Sequence, residues 1–255
     1  MLMNNDLDLL LAEIDLLKSQ IELQQHHLDG ALNRMLDIES SWQNNKLEGG
    51  NLTLGQTEIL ILNGLMPPDI PMVESLATLN FFEALQFIRE QASDQALLSM
   101  GLLMETHAIL ARGIDRQGAG RFRNSTHTNS ADTPDLSTNE LPALLVDTLH
   151  DLRLNGPFKH PLVFAAETHF RLLTLQPFGS FNGACARQAM NLVLLTEGYP
   201  LLTIPGALQS RPHYFETLEI TRHGGDKSAW LQYIGEQVRS GLQSLIARLD
   251  ALSEH

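Results

Sequence analysis

The stretch Leu172-Leu173-Thr174-Leu175-Gln176-Pro177-Phe178-Gly179-Ser180-Phe181-Asn182-Gly183-Ala184-Cys185-Ala186-Arg187 decides the reading of this chain. An apolar helical run stops where Pro177 removes a backbone donor and restricts the residue before it. A tight loop follows, and a second helix begins at Asn182-Gly183. The first N–H groups of a helix have no partner inside it and stand at the positive end of its dipole, so this corner is a natural cradle for an anion. Arg187, one turn further on, adds a fixed positive charge. The pattern alone is common to many helix–loop–helix corners, and a corner with no ligand also accounts for it.

Working outward, helical periodicity covers 141–154 and 161–175 before the corner and 182–197 after it, where Gly198-Tyr199-Pro200 stops it. Further helical segments lie near 211–222 and 226–253. At the other end, Leu10, Ile14, Leu17, Ile21, Leu28, Leu32, Met35 and Leu36 recur at threes and fours between Leu7 and Ile38, the stripe of an amphipathic helix with Gly30 as its break. The opposite face, rich in Asp, Glu and Gln, is either solvated or the seat of a partner helix or a second copy of the chain, as a homodimer. Residues Trp42 to Gly50 interrupt the pattern. A short helix then follows Leu52-Thr53-Leu54 and closes at Gly64 and Pro67-Pro68, and Glu74 to Arg112 reads as helical. Residues 113–140 form the longest loop, with three glycines and the polar run Asn124 to Ser130; a loop of that length is functional or disordered. The expected fold class is mainly α, with an N-terminal helical extension over 1–40 and the main domain over 41–255.

In order and spacing, several blocks resemble the Fic (Fido) family, whose signature reads H-P-F-x-[D/E]-G-N-G-[R/K]-x-x-R; residues 176–187 are similar to it. His160-Pro161 through His169-Phe170 resembles the helix that leads into the signature. Gly118-Ala119-Gly120-Arg121-Phe122-Arg123 resembles the segment opening the family's target-binding flap, and Arg211-Pro212-His213-Tyr214-Phe215-Glu216-Thr217-Leu218 its R-x-x-Y-[YF]-x-x-L stretch. Upstream, Leu47-Glu48-Gly49-Gly50-Asn51-Leu52-Thr53-Leu54 is similar to I-E-G-N-x-L-T-L. The likeness runs over about residues 40–240 and implies a Fic-like helical domain.

The resemblance also implies chemistry, and the chain departs from it. Fic proteins typically transfer AMP from ATP to a Ser, Thr or Tyr hydroxyl of a target protein. Where the family has its histidine base stands Gln176, whose amide has no useful pKa near neutrality. Where it has the carboxylate that holds the metal stands Ser180, a poor ligand for Mg²⁺. Phe181 replaces the small glycine of the cradle and intrudes on phosphate space, and Ala184 replaces the first arginine. Pro177, Phe178, Asn182, Gly183 and Arg187 are retained, so the residues that shape the turn survive and those that run the reaction do not. His169 lies two turns before Gln176 and reads as a structural histidine. The expectation is a degenerate member without standard AMP transfer, acting by binding a nucleotide or a partner protein; the alternative is a nucleotidyl- or glycosyl-type transferase with another donor and mechanism. Asn182, Gly183 and Arg187 are the expected phosphate- or nucleotide-binding residues. No cofactor is required, ATP or another nucleotide is an admissible ligand, and no metal site is expected. In the family a glutamate of the upstream block pairs with the last signature arginine and blocks the nucleotide. Glu48, in the inhibitory-like segment 44–49, and Arg187 are therefore expected to form an ion pair. A protein partner would meet the flap loop 118–140 or the N-terminal helix.

Composition sets the outer bounds. The chain has 255 residues, 17 Lys and Arg against 30 Asp and Glu, and a formal charge of −13. Such a field repels nucleic acid and anionic lipid, so a phosphate ligand must be held locally. One cysteine, Cys185, excludes an internal disulfide and a thiolate zinc site. The absence of a basic leader and of an apolar stretch long enough to span a bilayer points to a cytoplasmic protein with no membrane partner.

Overall fold

Apolar side chains at helical spacing along most of the chain can be buried only by packing helix on helix. The computed structural model follows that rule. It describes residues 2–24, 30–124 and 138–253, and of residues 2–5 the backbone alone. Among the described residues there are ten α-helices and no strand.

The centre is an antiparallel pair, α7 (Pro161–Leu175) and α8 (Asn182–Thr196), joined by the loop 176–181. Every residue of α8 from Ala184 to Leu194 is buried, so other helices must enclose it. Helices α4 (Met72–Ser93) and α5 (Met100–Leu110) cover one flank of α8, and α6 (Leu141–Asn155) packs on α7. On α4 lie α2 (Gly30–Leu47) and α3 (Leu54–Asn63). Helix α1 (Leu2–Leu23) runs along α10 (Ser228–Ser253), which also meets α7 and α9 (Arg211–Gly224). None of these helices is long and apolar enough to cross a membrane among the described residues.

Two cores result. One gathers Phe81, Leu103, Leu110, Leu141, Phe178 and Cys185 around the signature loop. The other joins Met190, Leu194, Tyr214, Trp230 and Ile234 to Leu10, Ile14 and Ile21 of α1. The N-terminal extension thus shares its core with the rest of the chain. Asp15 fastens it further, accepting hydrogen bonds from the Tyr199 hydroxyl at 2.7 Å and from His160 Nε2 at 3.1 Å.

The structure differs from the sequence reading at two places. Trp42 to Leu47 do not interrupt a helix but complete α2, which ends where Gly49 takes φ +86°. Their polar side chains read as a break because solvation is the ordinary fate of asparagine. Here Asn44 and Asn45 are buried, the first against Arg187 and the second against Glu74 and Thr78. The helical run from Glu74 to Arg112 is two helices, parted at Asp94 and restarted by Ser99, whose hydroxyl caps Leu102 N–H at 3.2 Å. Residues 125–137 of the long loop 113–140 lie outside the described residues.

Candidate functional site

The corner after α7 is fixed by its own backbone. Gln176 caps α7 in the left-handed region, φ 45°, and donates its N–H to Leu172 O at 3.0 Å. Phe181, at φ 54°, stands at the head of α8 in the same region. Neither residue type favours that conformation, so both are held by their surroundings. Asn182 staples the turn between them: its Oδ1 accepts from Phe178 N–H at 3.0 Å and its Nδ2 donates to Phe178 O at 2.8 Å. Asn182 therefore works on the protein's own loop in this structure.

A second staple comes from His107, which sequence reading missed. Gly120 N–H donates to His107 Nδ1 at 3.1 Å, so that nitrogen holds the lone pair and Nε2–H donates to Ser180 O at 3.2 Å. The ring stacks on Phe178 with centroids 4.0 Å apart. Arg123 completes the clamp with N–H to Pro177 O and Nε to Gln176 O, both at 3.0 Å. The flap-like segment 118–123 and the signature loop are thereby one unit. Nothing around His107 in the sequence signals this role, since α5, with Leu102, Leu103, Ile109 and Leu110, reads as an ordinary core helix.

Beyond the loop, α8 carries Arg187 inward, where it is 4% exposed. Its Nη2 donates to Glu48 Oε1 and, at 2.6 Å, to Asn44 Oδ1; Nε reaches the same Asn44 oxygen at 3.1 Å, and Nη1 lies 3.4 Å from Tyr214 Oη. Glu48 and Arg187, 139 positions apart in sequence, thus form the ion pair that the resemblance implies. Asn44 lies in the last turn of α2 and Glu48 directly after it, its N–H on Asn44 O at 3.0 Å, so both reach Arg187 of α8 from the same side. Burial works against the guanidinium, but Tyr214 and Glu48 hold its pKa above the usual arginine range. Behind Tyr214, whose hydroxyl lies 2.9 Å from His169 Nε2, the His169 ring stacks on Trp230. His169 is enclosed in a packed aromatic cluster. Cys185 is buried too, its thiol pushed up to about 12 by burial.

Gly183 lets this arrangement lie over the first turn of α8. A Cβ there would stand 3.1 Å from Arg187 Nη1 and 3.5 Å from Glu48 Oε1. The Glu48 carboxylate, half exposed, lies beside the first turn of α8, bound to the Arg187 guanidinium. Beside it opens a cleft of about 300 Å³ lined by Glu48, Glu74, Thr78, Phe81, Phe181 and Ala184 among others. Glu74 shapes its rim, since its Oε1 accepts from Asn45 Nδ2, Asn51 N–H and Leu52 N–H at 3.1, 2.6 and 3.0 Å. Phe181 borders the cleft and leaves it open. Ser180, in contrast, turns its carbonyl to His107, and its Oγ is buried without a partner.

The two clamped imidazoles make stability depend on pH. Burial lowers His107 to about 4 and His169 to about 3. As pH falls through 6.5 the unfolded chain takes up a proton at each ring and the folded chain does not, so folding stability declines from pH 6.5 toward 4. The slope approaches about 1.4 kcal/mol per pH unit for each imidazole. Urea midpoints measured at pH 7.5, 6 and 5 are expected to fall in that order; a midpoint constant over this range would contradict the buried neutral rings.

No family model matches the chain. It is similar to the protein adenylyltransferase fic-1 of Caenorhabditis elegans, 25% identical over 216 residues that make up 82% of this chain and 41% of the relative. The protein adenylyltransferase Fic of Nematostella vectensis is also 25% identical, over 81% of this chain and 48% of the relative. The chain spans less than half the length of these curated relatives. Among solved structures, a Fic-domain-containing signaling protein from Bacteroides thetaiotaomicron matches with a TM-score of 0.82 and 22% identity, over 94% of this chain and 98% of that one. Residues 134–508 of C. elegans Fic-1 match with a TM-score of 0.80 and 22% identity, over 94% and 73%. The helical architecture is theirs as well.

Proposed function

Starting from the premise that the chain is a Fic-domain protein, homologous to protein adenylyltransferases, we propose that it does not carry out standard AMP transfer. On this reading it acts by binding, through a pocket that Glu48 keeps closed to nucleotide phosphates. The observation that carries the reading is the Glu48–Arg187–Asn44 contact over the first turn of α8.

Each requirement of AMP transfer meets an obstacle in the side chains present. The target hydroxyl needs a base, and the amide of Gln176 cannot accept its proton. A divalent metal on the phosphates needs a charged oxygen ligand. The signature loop offers the neutral hydroxyl of Ser180, buried and turned from solvent, so the donor set does not fit Mg²⁺. The phosphates need free donors, and Arg187 already satisfies Glu48 and Asn44 while the carboxylate repels an incoming anion.

What remains is a formed anion cradle under a lid of one side chain. Removing that lid exposes the first N–H groups of α8 and releases Arg187. In titration calorimetry with ATP in the absence of metal, Glu48→Gly is expected to bind at least about tenfold more tightly than the unaltered protein, a difference of about 1.4 kcal/mol. Equal affinities for the two proteins would remove the closed-pocket reading.

A further inference from the structure

The cleft beside Glu48 is walled by acceptors. Glu48 spends Oε1 on Arg187, and Glu74 spends Oε1 on Asn45 Nδ2 and two backbone N–H groups; the second oxygen of each carboxylate has no hydrogen-bond partner among the described residues. Asn45, only 5% exposed, lines the same cleft. Its Nδ2 is turned to Glu74 Oε1 and Thr78 Oγ1, which leaves Oδ1 on the other side of the amide, buried and without a donor. Nearly every buried acceptor in a folded protein finds a donor, because leaving one unpaired is costly.

The donors of the wall are already engaged. No Lys, Arg or His lines the cleft. Its one hydroxyl, on Thr78, donates to Glu74 O at 3.0 Å, and Gly49 and Gly50 donate their N–H groups to Lys46 O and Asn45 O. Two cations stand behind it, and both are in use: Arg187 on Glu48 and Asn44, and Lys46 Nζ on Gly50 O at 3.3 Å. A phosphate therefore finds carboxylates and no donor, whereas a ligand made of donors finds three acceptors. The remaining wall is apolar, with Val73, Ala77 and Leu110 beside the rings of Phe81 and Phe181, and a cation is attracted to such aromatic faces.

The kind of cation follows from the lining. A hard divalent ion asks for a cage of oxygen ligands, and among the described residues no group of three or more His, Cys, Asp or Glu could hold a metal. An ammonium is compact and strongly hydrated. A guanidinium is more weakly hydrated, pairs with a carboxylate through two parallel N–H groups and stacks on aromatic rings. We infer that the cleft binds a guanidinium carried on a short aliphatic stem, its N–H groups shared between Glu48 and Glu74 and its stem along Val73, Ala77 and Phe81. The inference rests on the closed-pocket reading and names what that pocket takes. A free alkylguanidine and the arginine side chain of another protein present the same chemistry.

Titration calorimetry on the whole chain at low ionic strength tests it. N-butylguanidinium is expected to bind at least about tenfold more tightly than its neutral analogue N-butylurea, and more tightly than N-butylammonium. Glu48→Gln removes a charge from the wall, and Val73→Lys brings a competing cation to the mouth; each should weaken N-butylguanidinium at least about tenfold. Val73 is 54% exposed, so the urea midpoint of that variant should equal that of the unaltered protein. The peptide acetyl-Gly-Arg-Gly-amide separates the sources: if it binds more tightly than N-butylguanidinium, the ligand is an arginine of a partner protein, and the reverse order assigns a free alkylguanidine. Absence of N-butylguanidinium binding, equal affinity for N-butylurea or N-butylammonium, or an affinity unmoved in both variants overturns the inference. Its failure is separable from that of the closed pocket. ATP binding gained in Glu48→Gly, with no guanidinium bound by the unaltered chain, faults the ligand class alone; guanidinium bound as expected, with ATP affinity unmoved in Glu48→Gly, faults the closing role of Glu48.

Discussion

Arg89→Met is expected to lower folding stability by about 3–5 kcal/mol, because it strands a buried carboxylate. Asp37 is 2% exposed inside α2. Arg89 of α4 grips it from two nitrogens: Nε lies 2.9 and 3.0 Å from the two carboxylate oxygens and Nη2 2.6 Å from Oδ1, while Gln86 Nε2 donates to Oδ2 at 2.8 Å. Once Arg89 is gone, the buried carboxylate keeps the one neutral donor of Gln86. At roughly 2–4 °C per kcal/mol for a chain of this size, the melting temperature should fall by about 10 °C. The double variant Asp37→Asn, Arg89→Met separates the causes. It removes the stranded charge and should recover a large part of the loss; a single variant with an unchanged midpoint would show that the pair contributes nothing. The consequence reaches the site, since Asp37 and Asn44 lie along one side of α2 at seven-residue spacing and Glu48 directly follows the helix, its N–H on Asn44 O at 3.0 Å. Arg89 holds in register the helix that delivers Glu48.

The helical architecture was legible because apolar periodicity is written along almost every element, and the corner at 176–187 was legible because proline and the Asn-Gly pair mark helix ends in any context. The Glu48–Arg187 meeting was reachable only through the order of the blocks, since nothing local joins residues 139 positions apart. Two parts of the site could not be read. His107 works through both ring nitrogens on backbone groups of two other segments, and a backbone partner leaves no trace in composition. Asn44 and Asn45 read as a helix end, yet they are buried because Arg187 and Glu74 arrive from other helices. Buried polar residues are where local pattern and tertiary partners disagree most, since the pattern records only which residues are polar and the partner decides where they go.

The largest functional effect expected is a gain. A variant combining Gln176→His, Ser180→Asp, Phe181→Gly, Ala184→Arg and Glu48→Gly should transfer AMP to itself or to proteins of a lysate at least ~10² faster than the unaltered chain, with Mg²⁺ present and the adduct read by mass spectrometry. The backbone argues for it. Gln176 already stands at φ 45°, a conformation in which histidine is enriched. Phe181 stands at φ 54°, where glycine carries no steric cost. Ala184 is 1% exposed and shares the cleft lining with Phe181, so the arginine needs the room that the lost phenyl ring supplies. Ser180→Asp must be made together with these changes, because its Oγ is enclosed and a lone carboxylate there would be buried without a partner. Base, metal ligand and phosphate donors act as a unit, so each single reversion should stay at background. A folded five-residue variant that remains silent would place the defect in the backbone. Transfer by the unaltered chain at the rate of this variant would instead mean that Gln176 and Ser180 are no impediment, and the binding role proposed for this pocket would fall with it.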